Sequence, residues 1–250
     1  MSTIRIGHLY PDYLNIYADR GNIAVLAGRA AARGHRLELI SLGVGDAVPV
    51  GEVDLFYIGG GQDRDQELVA PDLTAKGPAL AEAVASGAVV LGVCGGYQLL
   101  GSSYRDRAGA ELPGIGLLGL HTVAGDRRMI GDVLIECDWA GETLAGFENH
   151  GGRTLLDPGT APLGRVVAGF GNDGVSGCEG ARAGRVYGTY LHGPLLPRNP
   201  WFADLLLAEA LAHRVGEPSP QPLAALDDRL EREAHALSAE RAHARGGRAA

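Results

Sequence analysis

The first hundred residues alternate between short apolar runs and amphipathic stretches, and this pattern constrains the fold more than any other feature. Apolar runs predict strands at 4–10, 53–61 and 89–93, and the alternating run at 36–42 predicts a further strand. The amphipathic stretches predict helices at 20–35 and 76–88. Strands that are mostly apolar on both faces and are separated by helices are typical of a parallel sheet covered on both sides. We therefore predict an α/β fold with a central, mostly parallel sheet and helices on both faces.

The pattern changes after about residue 115. Short strands with Gly and Asp turns between them are predicted at 129–137, 165–171 and 185–193, followed by a helix at 199–214. A Pro-rich link (218–222), an amphipathic helix (223–242) and a polar tail (245–250) complete the chain. We predict one domain over 1–215, and a C-terminal extension over 216–250 that consists of the link, the helix and a disordered tail.

Composition excludes several classes of function. A formal net charge of −8 argues against a general nucleic-acid binder. No secretory signal and no apolar run near the ~18 residues of a membrane span is present. The three cysteines, Cys94, Cys137 and Cys178, are scattered and lack zinc-ligand spacing, which predicts a reduced, cytoplasmic setting and no metal. Lys76 is the only lysine and lies in no Walker-type loop, so we expect neither an ATP site nor another cofactor.

The segment AVVLGVCGGYQLLG (88–101) places a cysteine where an apolar strand ends. Ligands of open parallel sheets bind at the carboxyl ends of the strands. A strand-to-helix turn there, with glycines that allow close backbone approach, is the arrangement called a nucleophile elbow. We predict Cys94 to be a nucleophile, favoured as thiolate by the following helix, with the Gly95 N–H facing an oxyanion. The alternative, a buried structural cysteine, suits Cys137 and Cys178 better.

A second glycine run, GGGQDRDQ (59–66), also follows a predicted strand. A phosphate loop of the Walker type would require a lysine that this run lacks. We predict that a backbone N–H of Gly60 or Gly61 completes an oxyanion hole with Gly95. A tight turn without function is the alternative.

A cysteine nucleophile needs a base, and two histidines are candidates. His192 follows the apolar segment YGTYL, which places it at the carboxyl end of a predicted strand. His150 lies in ENHGGRT, which predicts a polar loop. We favour His192 because a strand end brings it to the same rim of the sheet as Cys94.

GVCGGYQLLG and YGTYLHG resemble the cysteine and histidine segments of class I (triad-type) glutamine amidotransferases, and GGGQDRDQ and RRMIGDV are similar to the cobyric acid synthase-like branch. The resemblance covers roughly residues 4–210. It implies a flavodoxin-like fold and hydrolysis of L-glutamine through a cysteinyl thioester, with ammonia passed to a synthetase. It also makes Cys94 the nucleophile and His192 the base.

Within RRMIGDV, the resemblance implies that Arg128 binds the substrate glutamine, because its guanidinium can form two hydrogen bonds with an α-carboxylate. The adjacent Arg127 could have this role instead, so the choice between the two arginines stays open. One departure concerns the third triad member. The commoner pattern has Glu two residues after the histidine, where this chain has Pro194. Another acid such as Glu148, a residue of a partner, or a dyad without an acid remain the three alternatives.

HLYPDYLNIYADRGNI, FENHGGRT and TYLHGPLLPRNPWFAD are similar to members of the branch that serve peptidoglycan synthesis. Those members imply a heterodimer with a Mur ligase-like ATP-dependent synthetase. The partner would bind lipid II and amidate its D-glutamate in the cytoplasm, at the inner face of the membrane. A corrinoid acceptor, a Cys-elbow hydrolase of the same fold, and a non-catalytic subunit are the alternative functions.

Overall fold

The computed structural model describes residues 1–16 and 20–246. The helices are α1 (Arg20–Ala32), α2 (Asp63–Ala85), α3 (Gly95–Leu99), α4 (Pro200–Val215) and α5 (Arg229–Gly246), with a 3-10 turn at Leu196–Arg198. The strands are β1 (Thr3–Leu9), β2 (Arg36–Leu42), β3 (Leu55–Ile58), β4 (Val89–Val93), β5 (Ser103–Arg105), β6 (Glu111–Pro113), β7 (Leu120–Cys137), β8 (Glu142–Leu156), β9 (Gly164–Ala168), β10 (Cys178–Glu179), β11 (Ala181–Ala183) and β12 (Val186–Thr189).

The central sheet has the strand order β11-β12-β4-β3-β1-β2. All neighbours from β12 to β2 are parallel, and only the edge strand β11 is antiparallel. Every residue of β3, β4 and β12 is buried, which explains why their sequences are apolar without alternation. The predicted α/β fold with a mostly parallel sheet is confirmed.

Helices cover this sheet and fix the loops at its carboxyl edge. Helix α4 contacts β1 and β4, α1 contacts β2, and the short α3 contacts β4 and β12. Among the described residues, no helix is both long and apolar enough to cross a membrane.

A second sheet, β10-β9-β7-β5-β6 with β8 paired to β7, is built on a long antiparallel hairpin. Our prediction of a short strand at 129–137 was incomplete, since those residues are the second half of the 18-residue β7. The register shifts between Ala124 and Met129, so residues 125–128 bulge out of the ladder. The full length of this strand was not predicted for two reasons. Its composition resembles that of turns, and the bulge interrupts the alternation of apolar and polar residues.

Two helix boundaries also differ from the predictions. Helix α2 begins at Asp63 rather than 76, directly after the glycine run, with Gln62 as its N-cap and with Pro71 and Pro78 inside it. Pro normally interrupts a helix, so Pro71 favoured a later start, whereas Pro78 already lay inside the predicted helix. Helix α5 spans Arg229–Gly246 instead of 223–242, and residues 223–228 carry no regular structure. Of the predicted tail, 247–250 lie outside the described residues, as do residues 17–19 of the HLYPDYLNIYADRGNI segment.

Candidate active site

The strand order brings the predicted catalytic segments to one rim of the central sheet. Strand β4, which ends before Cys94, lies between β12, which leads to His192, and β3, which leads to the glycine run. In the register, Val93 pairs with Thr189, and Gly92 pairs with Ile58. All three strands run in the same direction, so the segments that follow them leave the sheet side by side.

Cys94 has the backbone geometry of a nucleophile elbow. Its φ of 52° and ψ of −108° are unusual for a residue with a side chain, and such strain persists only where surrounding structure enforces it. The Cys94 N–H donates to the Thr189 carbonyl at 2.8 Å, which ties the turn to β12. Cys94 is 6 % exposed. Since α3 has only five residues, adjacent N–H groups rather than a long helix dipole would stabilise a thiolate.

Glycines around the turn are required by close packing. A methyl group on Gly96 would lie 2.4 Å from the Ile58 carbonyl oxygen, and one on Gly92 would lie 2.6 Å from a Leu100 methyl carbon. The Gly96 N–H also donates to the Gly59 carbonyl at 3.0 Å. Helix α3 therefore crosses directly over the end of β3.

This packing places Gly61 and Gly95 next to each other. A methyl group on Gly95 would lie 3.1 Å from the Gly61 nitrogen. The Gly60 carbonyl accepts the Ile16 N–H at 3.1 Å. Gly61, one of the two candidate glycines in the run, thus has its backbone nitrogen beside the elbow.

A cleft of about 1090 Å³ opens above the elbow. It is lined by residues of the glycine run, α2, α3 and the β7–β8 hairpin: Ile16, Gly61, Gln62, Asp63, Arg64, Gln66, Cys94, Gln98, Tyr104, Asp106, Arg107, Ala108, Ala124, Arg128, Ile130, Asn149, His150, Gly151 and Gly152. Cys94 and Arg128 thus face the same space, whereas Arg127 is absent from its lining.

Arg128 lies in the bulge of β7. Its Nε donates to Asn149 Oδ1 at 2.9 Å, and its second guanidinium nitrogen donates to the Asn149 carbonyl at 3.0 Å. Among the described residues no carboxylate forms an ion pair with it. Arg127 instead packs over the Phe170 ring, 5.9 Å from the ring centre. The cleft therefore contains an oriented guanidinium that no carboxylate of the described residues pairs with, although Asp63 and Asp106 also line the cleft.

His192 is buried directly beyond β12. Its backbone exchanges two hydrogen bonds with Phe147, N–H to carbonyl at 2.9 and 3.2 Å. Burial, and to a smaller extent the nearby His150 and Arg128, lowers the pKa of His192 to about 4. His192 is thus neutral at pH 7 and lies within electrostatic reach of two residues that line the cleft.

His150 does not lie in a loop, as its polar surroundings in the sequence predicted, but within β8, where it is buried. Its Nδ1 lies 2.9 Å from the Gly152 carbonyl oxygen, and its ring stacks on Tyr190 with ring centres 3.5 Å apart. Glu148 Oε2 lies 3.6 Å from His150 Nε2, and its carboxylate accepts the N–H groups of Phe170 and Gly171. Glu148, our candidate acid for orienting His192, thus lies next to His150.

A hydrogen-bonded chain beneath the cleft was not among the features predicted from the sequence. Gln98 Nε2 donates to the Tyr190 hydroxyl at 3.0 Å, and that hydroxyl lies 2.6 Å from Thr154 Oγ1. Gln98 follows Cys94 by four residues, a spacing that places both at the elbow helix and that could have identified it. Tyr190 and Thr154 lie far apart in the sequence, and only the pairing of the two sheets brings them together.

A second missed residue, Glu179, holds the segment that leads to His192. It is fully buried, and its carboxylate accepts the Tyr190 N–H at 2.6 Å and the Thr189 hydroxyl at 3.0 Å. The same hydroxyl accepts the Leu191 N–H at 3.0 Å. Burial raises the pKa of Glu179 to about 8. Its position in a two-residue strand gave no sequence signal.

Comparisons with known proteins agree with this geometry. Residues 5–200 match the family described as CobB/CobQ-like glutamine amidotransferase domain. The chain is 42% identical over 218 residues to the subunit GatD of the glutamine-hydrolysing lipid II isoglutaminyl synthase of Staphylococcus aureus, covering 87% of this chain and 88% of that protein. It is 38% identical to the protein of the same name from Streptococcus pneumoniae, over 92% and 88% of the two chains.

Two more distant relatives delimit the resemblance. A cobyric acid synthase of Pelotomaculum thermopropionicum is 40% identical over 165 residues, but this covers only 31% of that protein. A chain in the structure of PurLQS from Thermotoga maritima has a TM-score of 0.53 at 17% identity, over 85% of this chain and 98% of that one, which shows the shared fold. The chain therefore belongs to the CobB/CobQ-like glutamine amidotransferase family.

Proposed function

We propose that this chain is the glutaminase subunit of a lipid II isoglutaminyl synthase. The observation that carries the proposal is its similarity to two relatives of that name, which extends over 88% of each relative. The cobyric acid synthase similarity covers only about a third of those proteins, so a corrinoid acceptor has weaker support.

In the proposed reaction, His192 takes the proton of the Cys94 thiol, and the resulting thiolate attacks the side-chain carboxamide carbon of L-glutamine. The S–C bond forms, and the carbonyl becomes an oxyanion that accepts hydrogen bonds from the N–H groups of Gly95 and Gly61. The C–N bond then breaks as the His192 imidazolium gives this proton to the leaving nitrogen, which departs as ammonia. Water attacks the thioester with His192 as general base, and glutamate and the free thiol are released.

The contacts of the described residues support these roles. Cys94 occupies a strained turn beside the cleft, and Gly61 N lies beside Gly95. His192 has a pKa near 4, so it is neutral at pH 7 and can accept a proton. Arg128 presents a guanidinium that would bind the α-carboxylate of glutamine, held in orientation by Asn149.

A partner is part of the proposal. Amide formation from a carboxylate and ammonia requires activation, usually as an acyl phosphate made from ATP. We infer that a Mur ligase-like synthetase supplies ATP binding and the lipid II site in a heterodimer with this chain. We place the complex in the cytoplasm, at the inner face of the membrane, because its acceptor is membrane-bound and the three cysteines of this chain form no disulfide in the part that the structure describes.

The test is an acceptor assay on the complex. This chain, co-purified with the synthetase, should release ammonia from glutamine and convert lipid II to a product amidated at the α-carboxyl of D-glutamate, as measured by mass spectrometry. The same complex should not amidate a corrinoid carboxylate. Glutamine hydrolysis without any amidation of lipid II would refute the proposed acceptor but leave the glutaminase chemistry intact.

A further inference from the structure

Gln66 is a buried polar side chain beside the elbow that the proposed reaction has not used. It is the last residue of the run GGGQDRDQ and lies in the first turns of α2. It is 2 % exposed, and it lines the cleft together with Cys94. Neither end of its amide makes a hydrogen bond within the part of the chain that the structure describes, and its Oε1 is buried. Burying an amide without a partner costs free energy, so such a group calls for an explanation.

Its position relative to the glycines indicates which part of a substrate it would contact. A methyl group on Gly95 would lie 3.2 Å from Gln66 Nε2 and 3.1 Å from the Gly61 nitrogen. Two N–H donors therefore lie against the same side of the residue that follows the nucleophile. This is the β3 side of Cys94, whereas the segment that carries His192 follows β12 on the opposite side.

This asymmetry decides between two roles for the amide. The leaving nitrogen of glutamine must face the histidine that exchanges protons with it, so it lies on the β12 side. The carbonyl oxygen then faces the β3 side, where Gly61 and Gln66 lie. We propose that Gln66 Nε2 is a third donor of the oxyanion hole, a catalytic residue that stabilises both tetrahedral intermediates. This inference rests on the proposed glutaminase mechanism and adds a residue to it.

Preorganised donors of this kind act on the transition state more than on the bound substrate. Removing one side-chain donor from an oxyanion hole typically costs about 10²–10³ in kcat. Gln66→Met removes the donor and keeps the side-chain length in a buried position. We expect kcat for glutamine hydrolysis by the complex to fall about 10²-fold, with KM changed by less than about threefold.

A second measurement separates this role from simple support of the elbow. Alkylation of Cys94 by iodoacetamide is a direct substitution that forms no oxyanion, and its rate reports thiolate reactivity and access. We expect iodoacetamide to alkylate Cys94 of the Gln66→Met variant at the wild-type rate. The reaction is measured by mass spectrometry of the peptide that contains Cys94. Gln221→Met, in the exposed segment before α5, is the matched control and should change neither rate.

The outcomes are distinct. A fall in kcat with unchanged alkylation supports the proposal. Parallel falls in both rates would show that Gln66 supports the turn and would overturn it, as would an unchanged kcat. Absence of glutaminase activity in the wild-type complex would instead refute the proposed function, before any variant is compared.

Discussion

His192 and His150 present a choice that one pair of substitutions can resolve. His192 lies on the segment that follows β12, next to the elbow strand, whereas His150 is fixed by Gly152 and by stacking on Tyr190. We expect His192→Ala to lower kcat for ammonia release by about 10²–10⁴-fold, because the general base is lost. His150→Ala should have a smaller effect.

His243, exposed on α5, provides the control, and His243→Ala should hydrolyse glutamine at the wild-type rate. A larger loss in His150→Ala than in His192→Ala would reverse the assignment. Because His150 lines the cleft and touches Tyr190, some loss there is expected in either case.

Arg128 and Arg127 form the second pair, and here the structure favours one member. Only Arg128 lines the cleft, and its orientation by Asn149 leaves part of its guanidinium available to a ligand. We expect Arg128→Ala to raise KM for glutamine about 30-fold or more, which corresponds to about 2 kcal/mol of lost charge-assisted binding. Arg128→Lys should recover only part of this, because a lysine lacks the bidentate fork.

Arg127→Ala is the matched control, and its KM should change little. If the increase in KM appeared in Arg127→Ala instead, the carboxylate would be bound by the neighbouring guanidinium.

The sequence identified those candidate residues whose chemistry is tied to a local pattern. Cys94 between glycines at a strand end is such a case, and the strained φ of 52° agrees with the predicted turn. The choice between Arg127 and Arg128 could not be made from two adjacent residues, since a bulge decides which one faces the cleft. Gln66 was part of a quoted motif, but only the packing of α2 against the elbow shows that its amide lies beside Gly95.

At the scale of elements, the parallel strands were predictable and the second sheet was not. Strands buried on both faces have continuous apolar sequences, so β4 falls where the sequence placed it. The edge strand β2 is partly exposed, and its alternating sequence also predicted its position. Strands β7 and β8 have one solvated face and a bulge, and their polar residues resemble turns. Helix α2 shows a related failure, because Pro71 inside it resembles a helix boundary.

The carboxyl end of β12 depends on a carboxyl group whose ionisation should affect stability. Burial raises the pKa of Glu179 from an ordinary value of 4.5 to about 8. Between these two pH values the folded protein holds a proton that the unfolded chain has released, so this group's contribution to stability decreases as pH rises. In Glu179→Gln this proton linkage is absent. We expect the melting temperature of the wild type to fall more between pH 5 and pH 8.5 than that of the variant.

Comparison with the variant is necessary because other buried groups titrate with the opposite sign. His8 and His192 both have a pKa near 4 in the fold, so each favours the folded state as pH rises from 4 to 6.5. These terms are common to both proteins and cancel in the difference. Identical changes in melting temperature for the two proteins would show that Glu179 is ionised throughout.

At the scale of the whole molecule, we propose that residues 1–215 form the amidotransferase domain and that 216–250 are an extension. The extension is not loosely attached. Ala242 packs among Leu134, Ala145 and Ala168, and Asp228 forms a buried ion pair with Arg29 at 2.6 Å. We expect a chain that ends at residue 215 to fold with a cooperative but lower melting transition, because Arg29 retains one acidic partner, Asp204. Failure of that chain to fold, as judged by circular dichroism and calorimetry, would place the extension within the core domain.

The two half-reactions of the proposed complex should be separable by one substitution in this chain. Cys94→Ala removes the nucleophile, so the complex cannot release ammonia from glutamine. The synthetase only needs ammonia, which ammonium salts supply through the small unprotonated fraction at neutral pH. We therefore expect the Cys94→Ala complex to fail with glutamine and ATP but to amidate lipid II with ammonium chloride and ATP, as measured by the mass of the product.

Cys137→Ser, the matched control at a buried cysteine away from the elbow, should use glutamine normally. Amidation from glutamine by the Cys94→Ala complex would contradict the assigned nucleophile, and amidation by this chain without any synthetase would contradict the division of labour between two subunits.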